Sequence, residues 1–155
     1  MRFPLGCLVV LLAMAPASAE SARQWIFDDN PEAPALTYGT PDSDDIVIAF
    51  TCEPGAKRMT IVEAVGAAKL EPGRVTTFRL TAGAATLDLT GDAIANETDG
   101  SVNIEVTGAP NPRLFALLKA GPSLKIEVTG EKETIPLADA AAHVPVLEKL
   151  CLPRR

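Results

Sequence analysis

The chain has one histidine, no Cys-x-x-Cys pair, no glycine-rich phosphate loop and no basic stripe interleaved with aromatics. Each absence closes off a class of chemistry. A Ser–His–acid or Cys–His site would have to use His143 as its base. That residue stands in Ala140-Ala141-Ala142-His143-Val144, beside a predicted helix start and with no serine or free thiol nearby in sequence. It reads as a solvated or capping histidine. Zinc takes three or four His, Cys or acidic ligands, a set one histidine does not supply. Without Cys-x-x-Cys there is no thioredoxin-like redox pair. Acidic residues exceed basic ones by 20 to 14, and such a surface repels phosphate backbones and anionic lipid, excluding nucleic acid and membrane surfaces as partners. Aromatics are only 5% of residues, so the core has to be built from Val, Ile, Leu and Ala.

Long hydrophobic runs are also missing, apart from one at the start. Met1 and Arg2 lead into an apolar run from Leu5 to Met14, followed by Ala17-Ser18-Ala19. A positive n-region, a short apolar h-region and a small-x-small site are the parts of a secretory signal. About ten apolar residues are too few to span a bilayer core of roughly 30 Å. The sequence therefore predicts a signal peptide over residues 1–19, cleaved after Ala19, and a single β-rich domain over 20–155. Loss of Arg2 leaves 13 basic against 20 acidic residues, a net charge of −7. The expected location is periplasmic or secreted, with no stable membrane insertion after processing.

Two cysteines remain in the processed chain, Cys52 and Cys151. In an exported protein they have one way to pair. The bridge would close a loop of roughly 100 residues, worth about 4.7 kcal/mol in the chain-entropy view.

Alternation of apolar and polar residues marks strands at Ile46–Cys52, Met59–Val65, Val75–Ala82, Thr86–Thr90, Val102–Val106 and Leu124–Val128, with Trp25 and Phe27 alternating as a first strand would. In the first of these, Val47 and Ala49 make the second face apolar too, as in a strand covered on both sides. In the second, Met59, Ile61 and Glu63 share one face. Pro54-Gly55, Pro72-Gly73, Gly91-Asp92, Asp99-Gly100, Gly121-Pro122 and Gly130 punctuate the runs. Asn111 followed by Pro112 predicts a helix whose apolar stripe is Leu114, Leu117 and Leu118. A second helix starts near Val144 and carries Leu147 and Cys151 on one side. The fold class is mainly β (α+β): an antiparallel sandwich or barrel of about seven to eight strands, with one inserted helix and a C-terminal helix. Ile-Glu-Val-Thr-Gly occurs at 104–108 and 126–130, and these strand ends fit either two strands of similar exposure or parallel neighbours in a crossover unit.

Two acidic loops stand out, Asp42-Ser43-Asp44-Asp45 and the group Asp92, Asn96, Glu97 and Asp99. Calcium wants six to eight oxygens, and neither loop has the spaced glycine and distal glutamate of a known calcium loop. They read as turns. No catalytic, cofactor-binding or metal-ligating residue is assigned, and no cofactor is expected.

Trp25, Tyr38-Gly39-Thr40-Pro41-Asp42-Ser43-Asp44, a strand ending in Cys52 and a terminal helix closing on Cys151 form a series of landmarks. In these the chain resembles small, mostly uncharacterised exported (periplasmic) proteins of Gram-negative bacteria. In its strand cysteine and C-terminal helical cysteine it is similar to accessory proteins associated with type VI secretion. The resemblance implies a periplasmic location, a β-rich domain and the Cys52–Cys151 bridge, and brings no catalytic residues. The expectation is a non-catalytic envelope protein, a binding module for another protein or a cell-wall component. The alternatives are a carboxylate-dependent hydrolase acting on envelope glycan and a calcium-stabilised module. The sequence sets no oligomeric state.

Overall fold

The computed structural model describes residues 22–97 and 100–152. The predicted signal peptide and its cleavage site at Ala19 lie outside these residues, as does Asp99. The strands are β1 (Gln24–Asp28), β2 (Ala35–Gly39), β3 (Ile46–Glu53), β4 (Arg58–Glu63), β5 (Val75–Ala82), β6 (Ala85–Ala95), β7 (Val102–Gly108), β8 (Ser123–Val128) and β9 (Glu131–Pro136). Helix α1 (Pro112–Leu118) lies between β7 and β8, and α2 (Val144–Cys151) follows β9. All nine strands form one sheet in the order β1-β2-β3-β4-β7-β6-β5-β8-β9, antiparallel at every pairing. The sheet curls into a half-barrel.

The two-residue period produces this curl's lining. Ile48, Phe50 and Cys52 on β3, Met59, Ile61 and Glu63 on β4, Phe78 and Leu80 on β5, and Leu124, Ile126 and Val128 on β8 are all buried. Val47 and Ala49 are buried on the other face of β3 as well, as its apolar run predicts. Helix α1 starts where Asn111 accepts a hydrogen bond from the Arg113 N–H at 3.0 Å, with Pro112 in the first turn. Its Leu114, Phe115, Leu117 and Leu118 are buried, and it packs on β5 and β6. Helix α2 packs on β2 and β3, and Lys119 meets Glu148 at 2.7 Å between the helices. The Cys52–Cys151 disulfide joins β3 to the end of α2, with Cα atoms 5.6 Å apart.

An odd number of antiparallel strands leaves the two edge strands, β1 and β9, running the same way. Side chains link them. The Trp25 indole N–H donates to the Pro136 carbonyl at 2.6 Å, and Arg23 reaches Glu133 at 3.1 Å.

The structure bears out the mainly β class with an inserted and a C-terminal helix, and differs from the sequence reading in two details. There are nine strands among the described residues where about seven to eight are expected, because β2 and β9 carry weak patterns: Ala35–Gly39 follows a proline-containing stretch, and Glu131–Pro136 is mostly charged and polar. Strand β6 runs straight through Gly91, which the sequence suggests as a turn. There a Cβ would sit 2.1 Å from the Glu105 carbonyl of β7, so glycine serves close strand approach and not reversal. Of the two readings of the Ile-Glu-Val-Thr-Gly segments, the structure excludes parallel neighbours: one lies on β7, the other at the end of β8, and β6 and β5 stand between them.

Candidate functional site

The beginning of β3, the end of β4, the tip of the β6–β7 hairpin and the middle of β9 meet at one end of the sheet. A cleft of about 530 Å³ opens there, lined by residues from each of them. Its lining is mixed: Ile46, Val47, Val62, Ala64 and Val65 supply the apolar part, and Asn96, Ser101 and Asn103 stand among the charged groups. Ile46 is 37% exposed, one of few large aliphatic side chains so open to water.

The rim is charged and internally braced. Arg23 donates to both Asp45 carboxylate oxygens, from Nε at 2.9 Å and Nη2 at 2.8 Å, and its Nη1 donates to Glu133 at 3.1 Å. The Thr40 hydroxyl donates to Asp45 at 2.7 Å. The turn that presents Asp45 holds itself together, since the Asp45 N–H donates to the Ser43 hydroxyl and the Thr40 N–H to the Asp45 carbonyl. Asp42 sits in the left-handed region at φ 56° within this turn, a conformation that aspartate tolerates better than most residues. Hydrogen bonds from Arg23 and then Thr40 hold the Asp45 carboxyl below its usual range, and the same pairing raises the Arg23 guanidinium. Bidentate guanidinium–carboxylate geometry of this kind fixes orientation as well as charge.

Beside the cleft lies the one buried charged side chain among the described residues, Glu63 at 0% exposure. One carboxylate oxygen accepts from the Val65 N–H. The other, Oε2, is buried with no hydrogen-bond partner. Desolvation pushes this carboxyl up to about 7, the Val65 and Gly66 amides pull it part of the way back, and Glu133 adds to the rise.

The acidic loops singled out from sequence are partly brought together. Asp44, Asp45 and Asn96 all line the cleft, whereas Asp42 and Asp92 are exposed outside it. Among the described residues no group of three or more His, Cys, Asp or Glu side chains is placed to hold a metal ion. His143 stacks on Phe27 with ring centroids 5.0 Å apart, at the start of α2. Trp25 is buried against Tyr38 and Phe50. Sequence reasoning passes over Arg23 and Glu133, and it places Glu63 on a strand face with Met59 and Ile61 without giving it a role. The first two become a site only through the curl, being 110 positions apart. The third is visible in retrospect as the single acid in the inward alternation of β4.

No family model matches this chain, and neither curated proteins nor solved structures contain a match to it. The buried disulfide fits a protein that works outside the reducing cytoplasm. Among the described residues no helix is long and apolar enough to cross a membrane.

Proposed function

We propose that the chain is an exported, non-catalytic envelope protein that binds another protein or a cell-wall component, and that the cleft is its binding surface. The observation that carries this reading is a set of internally braced charged groups bordering the exposed Ile46 and the other apolar residues of the cleft. Asp45 spends its lone pairs on Arg23 and Thr40, and Glu133 is engaged by the same guanidinium. Groups so committed hold a shape; they are poorly placed to pass protons to a substrate. The acid with the raised pKa is walled off from water, where a general acid needs hydrogen-bond reach to its substrate. An open aliphatic residue within a fixed polar frame is the usual make-up of a recognition surface. The disulfide and the resemblance to exported periplasmic proteins support the envelope location.

A photo-reactive residue in place of Ile46 tests the site in cells, with the same substitution at Val75, which is 70% exposed on β5, as the control. Adducts to protein or to isolated cell wall from position 46, absent from position 75, are the expected result. Equal labelling at the two positions, or none at position 46, overturns the reading.

A further inference from the structure

The strand order places β7 and β6 between β4 and β5. The connection out of β4 must therefore pass across the end of the half-barrel to reach β5. It begins in the ladder, where the Ala64 N–H donates to the Val47 carbonyl at 3.0 Å. Gly66 then lies against β8: a Cβ there would stand 2.6 Å from Val128 Cγ1, so only a glycine seats this closely. A short 3-10 turn over Ala67–Lys69 follows, and Lys69 pairs with Glu131 at the start of β9. The connection is a cover held at three points.

Glu63 is the last residue before it. The carboxyl is fully buried at the root of this connection: one oxygen accepts from the Val65 amide, the Gly66 amide also acts on the group, and Oε2 has no hydrogen-bond partner among the described residues. Its register partners are Ile48 on β3 and Ile104 on β7, both fully buried and apolar. The charged group acting on it is Glu133 of β9, itself paired with Arg23, which in turn is held by Asp45. Lys69 is engaged by Glu131 at the far end of the cover. Among the described residues no cation pairs with Glu63, and the one charge acting on it, Glu133, is negative.

We propose that Glu63 is a proton-operated latch: protonated, it lets residues 64–70 seat over the end of the half-barrel, and ionised, it drives them to lift and admit water. The physical reason is asymmetric. A neutral carboxyl with one unpaired oxygen is a tolerable burial, while a buried carboxylate with an unpaired oxygen is a costly one. Lifting the cover solvates the charge at the expense of the Gly66–Val128 contact and the Lys69–Glu131 pair. Since Ala64 and Val65 line the cleft, the latch also sets the shape of the surface proposed above. That consequence rests on the cleft reading; the latch does not.

The direction follows from linkage. The seated form holds its proton up to about pH 7, against an ordinary value of 4.5. Seating is therefore fully favoured below pH 4.5 and is lost as pH rises through 7. Between pH 5 and pH 8 the population with the cover lifted should grow by about 50- to 100-fold.

Amide hydrogen exchange of residues 65–70 in the processed chain, divided by the intrinsic exchange rate at each pH, reads this population. A carbon-13 titration of the Glu63 side-chain carboxyl reads the proton directly. The expected result is a rise in corrected exchange from pH 5 to 8, a Glu63 titration near 7, and no rise in Glu63→Gln. A flat wild-type profile, a Glu63 carboxyl titrating in the ordinary range, or an equal rise in Glu63→Gln overturns the latch. If the glutamine variant does not fold, the two wild-type measurements still decide it. Failure of labelling at Ile46 with these pH profiles intact removes the binding reading and leaves the latch standing.

Discussion

Trp25 and Pro136 lie 111 positions apart in the chain and meet at 2.6 Å, indole N–H to carbonyl. The contact ties the first strand of the sheet to the last. Burial of the ring against Tyr38 and Phe50 supplies the apolar part of that tie, and the hydrogen bond supplies its direction. Trp25→Phe keeps an aromatic ring and removes the donor. It should cost about 1–3 kcal/mol, the usual penalty for leaving a partly buried acceptor unpaired. Trp25→Ala should cost roughly 3–5 kcal/mol, through the cavity left behind. Urea unfolding of both variants checks the order, and a phenylalanine variant as stable as wild type would mean the bond contributes nothing.

The disulfide offers a second test. Cys52→Ser should lower stability by about 2–5 kcal/mol. Wild type in reductant should unfold at the same urea concentration as this variant. Equal midpoints for oxidised and reduced wild type would show that the Cys52–Cys151 bond does not support the fold.

Stability against pH should carry two opposed contributions. Asp45 has a lowered pKa, so its pairing with Arg23 stabilises above the ordinary carboxylate range and is lost as pH falls through the lowered value. With the partners 43% exposed, solvent screening keeps that term small. Glu63 has a raised pKa, about 7 against 4.5, and works the other way: stability is present at low pH and lost as pH rises through 7. The shift corresponds to roughly 3 kcal/mol. Urea unfolding of wild type and Glu63→Gln at pH 4.5 and pH 8 isolates it. Between the two pH values, wild type should lose about 2–3 kcal/mol relative to the variant, and a constant difference would remove Glu63 as the source.

Where alternation was strong, the fold was legible from sequence. Val75–Ala82 and Leu124–Val128 announce strands by burying alternate residues, Ile46–Cys52 does so by a run that is apolar on both faces, and α1 announces itself through Asn111 and Pro112. Strands β2 and β9 were not legible for different reasons: Ala35–Gly39 is a short segment behind Pro31 and Pro34, and Glu131-Lys132-Glu133-Thr134 has no apolar residue at all. Gly91 misleads because glycine marks both reversals and close approaches, and only the neighbouring Glu105 carbonyl distinguishes them. The cleft was illegible for a topological reason. Arg23, Asp45 and Glu133 come from three distant stretches, and no local pattern tells that the sheet curls far enough to bring β9 beside β1. Glu63 is the opposite case. Its place beside Met59 and Ile61 on one strand face already puts a carboxyl indoors.

The sulfur bridge between β3 and the last turn of α2 spans 99 positions. Together with the backbone it makes a covalent ring that contains every strand from β4 to β9 and both helices. A protease that cuts any loop within that ring yields a nicked but undivided molecule, whose halves stay tethered and able to re-pair. A cut ahead of Cys52, in the stretch carrying β1 and β2, falls outside the ring and sets those strands free, so damage at that end can remove a strand from the sheet.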